Sequence, residues 1–505
     1  MPRTDIWARI RGFYGWRANL TAFGLGLLAA LALPPLYVVP TLFFAFPGLL
    51  ALLDGAPRAR VAAWRGFWFG FGLNLIGLYW VTEAILVEAA RFWWFVPLAV
   101  PALSATLALF IGAASGVAWF ARPGWPRAIA LAGAWVLGDL ARQFVATGFP
   151  WNPLGSVWEF PGWPGDVFIQ LAAFVGVGGL TLLTVALGLT PALGRRWMLG
   201  ALGALVAWAA LGVVRLQRPM PPASGLTVVL VQGNVAEGQK WNRALMVDIF
   251  QHYLRLTREG VARAGAGPAV VVWPETASPA LLQEDPVARS MIMEATGGNP
   301  ALIGSVRFDH AERPHNSLFA LVGPGTIAGI YDKWHLVPFG EFQPQWLRIG
   351  VQIVPGGGFA PGSGPRTLHV PGVPPVGPLI CYEAIYSGEM TDETDRPHWL
   401  VNITNDAWFG NSTGPRQHLA AARLRAVEEG LPLLRAANTG ISAAFDARGH
   451  ELARLGLGVA GTLEVPLPPP LPQTLFARFG LFIPGLAAAA ALLTGLLARR
   501  ISARI

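Results

Sequence analysis

The long uncharged runs decide what this chain can become. No residue from Ala18 to Leu53 carries a charge, and further uncharged runs cover Gly66 to Thr82, Phe92 to Ala121, Val167 to Gly194, Trp197 to Val214 and Phe479 to Ala498. A helix needs about 20 such residues to cross about 30 Å of hydrocarbon. Each run therefore reads as a span, and Pro34-Pro35 breaks the first into two short helices joined by a tight turn. Ala128 to Ala146 is a weaker span, because it carries Asp139 and Arg142, three apart and so on one helical face where they can pair. The expectation is eight spans. Composition agrees: 53% of residues are hydrophobic and only 13% charged, where a soluble globular chain has roughly 25% charged.

Arginine placement sets the orientation. With a cytoplasmic N-terminus, the inner segments hold Arg3, Arg9, Arg11, Arg17, Arg58, Arg60, Arg65, Arg122, Arg127, Arg195, Arg196, Arg499, Arg500 and Arg504, while the opposite short loops hold little beyond Arg91. This asymmetry accounts for much of the net charge of +8 and leaves little reason to invoke nucleic acid. It divides the chain into spans one to seven (1–214), a loop on the extracytoplasmic side (215–478), and an eighth span with a cytoplasmic tail (479–505). The unbroken continuation of the first apolar run argues against a cleaved signal peptide. A single cysteine excludes an internal disulfide and any cysteine-based metal centre.

The 215–478 loop changes character. Short β-rich runs (Leu226 to Val231, Ala269 to Trp273, Ala301 to Val306, Ser317 to Val322, Val376 to Tyr382, Trp399 to Ile403) alternate with helical patterns at Asn242 to Ala264 and Gln417 to Glu429, which implies a layered α/β domain. Proline-rich stretches at 218–222 and Val465 to Pro472 read as stiff connectors.

Three runs in this domain carry chemistry. Val-Val-Trp-Pro-Glu-Thr ends an apolar strand at Glu275, Tyr-Asp-Lys-Trp-His-Leu-Val-Pro-Phe-Gly-Glu-Phe contains Lys333 and Glu341, and Pro-Leu-Ile-Cys-Tyr-Glu ends another apolar strand at Cys381. A carboxylate, an ammonium and the chain's only thiol are the ingredients of an activated cysteine nucleophile: Glu275 as base, Lys333 lowering the thiol pKa and steadying an oxyanion, Cys381 attacking a carbonyl. Among 37 basic residues only Lys240 and Lys333 are lysines. A chain that otherwise uses arginine keeps a compact point charge in the second run. If the strand continues past Cys381, Glu383 points to the same side as the thiol. The eight histidines are scattered, so no metal site is expected, and His335 reads as a structural hydrogen-bonder. Asn402, Asn405 and Asp406 read as pocket-shaping residues.

These three runs together resemble the nitrilase, or carbon-nitrogen hydrolase, superfamily. With seven preceding spans and one following, the whole chain resembles the bacterial apolipoprotein N-acyltransferases. The resemblance implies an αββα sandwich carrying the triad Glu275, Lys333 and Cys381. Glu341 would orient the lysine, Tyr382 and Glu383 would support the nucleophile, and Trp241 would lie near the acyl site. It further implies a phospholipid acyl donor, a Cys381 thioester with release of lysophospholipid, and transfer to the α-amino group of a diacylglyceryl-cysteine on an apolipoprotein. No cofactor or metal is implied. The compartment implied is the inner membrane of a diderm bacterium, with the site facing the periplasm.

Phe342 to Gly364 is a long apolar segment containing Gly356-Gly357-Gly358, and it reads as a lid. Its Phe342 and Trp346 are expected to meet the lipid and to gate its access beside Glu341. Two other classes fit less well. A membrane-tethered amidase or nitrilase acting on small molecules would share the triad but should lack apolar loops around it. A transporter or assembly factor explains the spans and leaves the three motifs without a purpose.

Overall fold

The computed structural model describes residues 6–87, 89–240, 242–344 and 358–501. The chain forms two compact units, one from 1–82, 93–218 and 475–505, the other from 83–92 with 219–474.

The first unit is helical. Its longer helices among the described residues are Gly15–Ala30, Leu42–Asp54, Ala59–Gly77, Val96–Ala118, Trp125–Phe144, Ala172–Leu189, Arg195–Leu216 and Phe482–Ile501. Among the described residues three helices, Trp93–Ala118, Ala172–Ala192 and Arg195–Leu216, are long and apolar enough to cross a membrane, and Val39–Asp54 and Phe482–Ala498 are shorter apolar helices. The expected eight spans are therefore not matched by length and apolarity. The physical reasons are visible in the sequence: Gly15–Ala30 has only 16 residues, while Ala59–Gly77 and Trp125–Phe144 carry Arg60 and Arg65, and Arg127, Asp139 and Arg142. Asp139 and Arg142 do pair, at 3.4 Å. Small residues let helices cross closely, as in other membrane bundles. A Cβ on Gly26 would lie 2.0 Å from the Phe69 carbonyl oxygen, and one on Gly72 would lie 2.3 Å from that of Phe23.

The second unit is a sandwich of two sheets. Its strands are β1 (Thr227–Gln232), β2 (Ala269–Val272), β3 (Ala301–Phe308), β4 (Pro314–Val322), β5 (Thr326–Asp332), β6 (Val376–Ile380), β7 (Trp399–Thr404), β8 (Leu433–Ala437), β9 (Ser442–Phe445), β10 (Glu451–Leu455) and β11 (Gly461–Pro466). One sheet runs β11-β1-β2-β3-β4-β5 and the other β10-β9-β8-β7-β6. Strands β1, β2 and β3 are parallel neighbours, as are β6, β7 and β8, and the remaining pairings are antiparallel.

Side chains alternate across each strand. Val228 and Leu230 of β1 and Val270 and Val272 of β2 enter a core shared with Ile380, Val401, Ile403, Leu434 and Ala444 of the other sheet. The intervening Val229, Val231 and Val271 face outward onto the helices Met246–Ala264 and Pro286–Ala295, through Tyr253, Leu254 and Ile292. Gly414–Glu429 packs against the other sheet beside β8. The order of layers is helix, sheet, sheet, helix.

Three sequence expectations change. The run expected as a strand to Tyr382 ends at Ile380, and Cys381–Ile385 is a 3-10 helix. The stretch Val465 to Pro472, expected as a stiff connector, belongs in part to the sheet and its core, because Val465 lies in β11, Val465 and Leu467 are buried, and the Leu467 amide donates to the Leu226 carbonyl at 2.8 Å. The helix expected from Asn242 begins at Met246.

Candidate active site

Each candidate side chain stands where the backbone leaves a strand, and β2, β6 and β7 are wholly buried. Glu275 follows β2, Lys333 follows β5, Cys381 follows β6, and Asn405 and Asp406 follow β7. The carboxyl ends of parallel strands are where α/β sheets open a crevice. Two of these exits are left-handed at residues other than glycine: Thr276 has φ +45° and Cys381 φ +52°. Phe339, two residues before Glu341, has φ +63°. Such conformations cost about 1–3 kcal/mol each and persist only where the surroundings enforce them. Gly304 is one such enforcer, since a Cβ there would sit 2.1 Å from the Pro274 carbonyl oxygen and 2.8 Å from the Thr276 nitrogen. The left-handed Cys381 turn replaces the continued strand, so the expectation that Glu383 points the same way as the thiol fails. The Glu383 carboxylate instead folds back beneath the turn, accepting from the amides of Ile380 (2.6 Å) and Trp334 (2.7 Å) and from the Tyr331 hydroxyl (3.0 Å).

The structure brings Glu275, Lys333, Glu341 and Cys381 into one buried cluster, each less than a tenth exposed. Lys333 Nζ donates to Glu275 Oε1 at 3.1 Å and to Glu341 Oε1 at 2.9 Å. Asn316 Nδ2 donates to the same two oxygens, at 2.7 and 3.1 Å. The Asn405 amide donates to Glu275 Oε2 at 2.9 Å, and the Val337 amide to Glu341 Oε2 at 2.8 Å. Tyr382 is buried in the 3-10 helix with its ring edge-on to Tyr386 at 5.5 Å. Phe342 is half-buried beside Glu341. Trp241 and Trp346 lie outside the described residues, as does 345–357, most of the expected lid. His335 hydrogen-bonds Glu389 at 2.9 Å and stacks on Tyr386.

Sequence reasoning missed several members of this site. Asn316 lies within β4 and belongs to no motif. Lys240 is buried, and its ammonium donates to the Glu275 carbonyl at 3.1 Å and to the Thr276 hydroxyl. Its only sequence signal was the scarcity of lysine. Beside Cys381, His418 bridges the Cys381 carbonyl (Nε2, 2.9 Å) and Asp406 (Nδ1, 2.9 Å), and Asp406 Oδ2 accepts from Arg435 at 2.7 Å. This fixes the backbone of the turn that carries the thiol.

Burial acts on every charge here. Burial pushes the Cys381 thiol well up, and Glu275 adds to that push, against the pull of Lys333. Burial would raise Glu275 too, but Lys333 and Lys240 outweigh it and hold the carboxyl below its ordinary range. Burial opposes the charge on Lys333, yet Glu275 and Glu341 keep its pKa well above the lysine range. Glu383 is pushed by burial up to about 7 despite the amides it accepts from. At rest the cluster therefore holds a protonated thiol beside an ionised carboxylate and an ammonium. Among the described residues no group of three or more His, Cys, Asp or Glu could hold a metal ion.

Two family models match. The apolipoprotein N-acyltransferase N-terminal domain covers residues 25–190, and the carbon-nitrogen hydrolase family covers residues 227–473. The chain is 38% identical over 518 residues to the apolipoprotein N-acyltransferase of Rhodopseudomonas palustris, an alignment spanning 95% of this chain and 96% of the relative. It is 40% identical over 484 residues to that of Allorhizobium ampelinum, spanning 90% of each. Among solved structures, a mutant of the Nesterenkonia AN1 amidase from the nitrilase superfamily aligns at 17% identity and a TM-score of 0.37, over 50% of this chain and 94% of that one.

Proposed function

This chain belongs to the apolipoprotein N-acyltransferase family, and we propose that it carries a fatty acyl chain from a membrane phospholipid, through a thioester on Cys381, to the α-amino group of a diacylglyceryl-cysteine at an apolipoprotein N-terminus. The observation that carries the mechanism is the buried cluster of Glu275, Lys333 and Glu341 set against the one thiol of the chain.

In the first half-reaction Glu275 takes the thiol proton as sulfur attacks the ester carbonyl. The carbon–sulfur bond forms, and the carbonyl oxygen becomes an oxyanion. An ammonium has three N–H donors. Glu275 and Glu341 accept two from Lys333, leaving one for that oxyanion. Collapse breaks the ester carbon–oxygen bond, and the lysophospholipid departs as an alcohol with the proton from Glu275. In the second half-reaction the neutral α-amine attacks the thioester, Glu275 takes a proton from the nitrogen, and the cysteine leaves and regains its proton. Glu341 and Asn316 hold Lys333 and Glu275 in register throughout, while Glu383 and Tyr382 support the turn that presents sulfur.

The setting in this reading is a bacterial inner membrane crossed eight times, with both termini cytoplasmic and the site periplasmic. The arginine distribution supports this orientation. Enzyme supplied with phospholipid and no acceptor should accumulate a hydroxylamine-sensitive acyl group on Cys381 and release one lysophospholipid per site. Absence of both products from a protein that still forms N-acylated lipoprotein would refute the thioester route.

A further inference from the structure

Lys240 has no part in the chemistry just described, yet it is built into the turn that carries the base. Its ammonium, on the short helix Glu237–Lys240, donates to the Glu275 backbone carbonyl at 3.1 Å and to the hydroxyl of Thr276, the residue forced to φ +45° immediately after Glu275. One buried cation thus grips both sides of a strained peptide. The side chain it positions is committed as well, with Glu275 Oε1 accepting from Lys333 and Asn316, and Oε2 from the Asn405 amide. Asn405 in turn donates to Glu237 and accepts from Asn438, which binds back to the Val235 carbonyl at 2.7 Å. The stretch 235–240 is thereby tied to the loop after β7 as well as to the base.

Charge gives Lys240 a second task. The ionisable groups that act on it are Glu237 on its own helix, Glu275 after β2 and the Cys381 thiol after β6, and Glu275 is joined through Lys333 to Glu341. Asp406 after β7 is engaged by Arg435 and His418. Lys333 is shared between two carboxylates. Without Lys240, three carboxylates (Glu237, Glu275 and Glu341) would face one ammonium in a dry site, and thiolate or oxyanion formation would add a further negative charge. We propose that Lys240 is a positioning residue of this enzyme: it holds the Glu275 turn in its left-handed form and supplies the second ammonium that lets the Cys381 thiolate develop. Burial opposes the charge on Lys240 and lowers its pKa, while Glu237, Glu275 and the Cys381 thiol pull the other way.

The test uses the full chain in detergent and rests on the one cysteine of the sequence, which makes alkylation by iodoacetamide specific to Cys381. The alkylation rate against pH is compared for wild type, Lys240→Met and Lys240→Arg. Removing a cation disfavours the thiolate, so the Lys240→Met onset should move to higher pH by about one unit. Lys240→Arg, which keeps the charge, should hold the wild-type onset even where its rate falls. A Lys240→Met protein with the wild-type onset, however much thermal stability it lost, would reduce Lys240 to a tether and overturn the proposal. If Lys240→Met does not fold, Lys240→Arg decides alone: a retained onset supports the proposal, and one displaced by a full unit overturns it. Alkylation needs no lipid. A wild type that alkylates normally but takes no acyl group from phospholipid would therefore sink the acyl-transfer reading and leave the Lys240 assignment intact.

Discussion

Replacing Lys333 with methionine keeps the length and apolar volume of the side chain and removes only the charge. The lysine is 1% exposed and lies 3.1 and 2.9 Å from oxygens of Glu275 and Glu341. At an effective dielectric near 20, each contact amounts to about 5 kcal/mol of attraction, much of it offset by the cost of drying the ammonium. The measured effect depends on what remains. Asn316 Nδ2 touches both Glu275 Oε1 and Glu341 Oε1, so without the lysine two carboxylate oxygens share one neutral donor. Breaking a buried pair in this way costs about 3–5 kcal/mol, which at pH 7 should lower Tm on the order of 10 °C.

The sign with pH follows from the same pair. In wild type the folded Glu275 pKa is below its ordinary value of 4.5, so its stabilisation is present above that value and lost as pH falls through the folded pKa. In Lys333→Met, like-charge repulsion raises one carboxyl above its unfolded value, a penalty present at neutral pH and gone once both states are protonated. The Tm gap between the two proteins should therefore be widest at pH 7 and narrow towards pH 5. Thermal unfolding in one detergent across that range measures it. A gap of unchanged width, or a variant as stable as wild type at pH 7, would refute the claim that this ammonium holds the carboxylates together.

Cys381→Ala should abolish lysophospholipid release and acyl transfer alike, while Cys381→Ser should at most form a stable ester; mass spectrometry of residue 381 separates the two. Turnover by Cys381→Ala at near wild-type rate would end the thioester mechanism. His418→Gln keeps one hydrogen-bonding arm and loses the bridge between Asp406 and the Cys381 carbonyl, so acyl-enzyme formation should slow about tenfold, the worth of one buried hydrogen bond, in a single-turnover assay; an unchanged rate would show that the turn holds itself. A cysteine placed at residue 450 in a Cys381→Ala background should react with an impermeant thiol reagent in intact spheroplasts, and labelling only after the membrane is opened would invert the topology.

Glu275 and Cys381 were legible because each follows an apolar strand: Val-Val-Trp-Pro-Glu and Pro-Leu-Ile-Cys announce both the strand and the place where it stops, while Lys333 was legible from its motif and the scarcity of lysine. The domain's parallel core was legible for the same reason, since β1, β2, β6 and β7 are nearly unbroken apolar runs. The later strands were not. β8 carries Arg435 at the centre of a wholly buried strand, and a charge there argues against a strand until Asn402, Asp406 and His418 are seen around it. β10 and β11 are half-exposed and polar, with little period to read. Asn316 and His418 act through contacts 41 and 37 residues away along the chain, and no local spacing encodes such a meeting. The turn at Cys381 was misread because Leu-Ile-Cys-Tyr has strand character throughout; the reversal is imposed by the amides and hydroxyl gathered on Glu383, none of which is a sequence neighbour except Ile380.

The resting charge state bears on how the proposed mechanism would avoid wasting the Cys381 thiol. With the thiol pKa raised by burial and that of Glu275 lowered by two ammonium groups, proton transfer before substrate arrives is uphill. In the mechanism proposed above the thiolate would then form in step with carbon–sulfur bond formation, when the developing oxyanion offers Lys333 a new partner and part of the negative charge leaves sulfur. An isolated thiolate poised at neutral pH would be the faster alkylation target, and also the better target for oxidation. The same left-handed turn that presents sulfur sets the Cys381 carbonyl on His418, which is itself held by Asp406. Activation in this site is thus assigned to the encounter with the acyl donor, and the buried charges are set to make that encounter the step at which the proton moves.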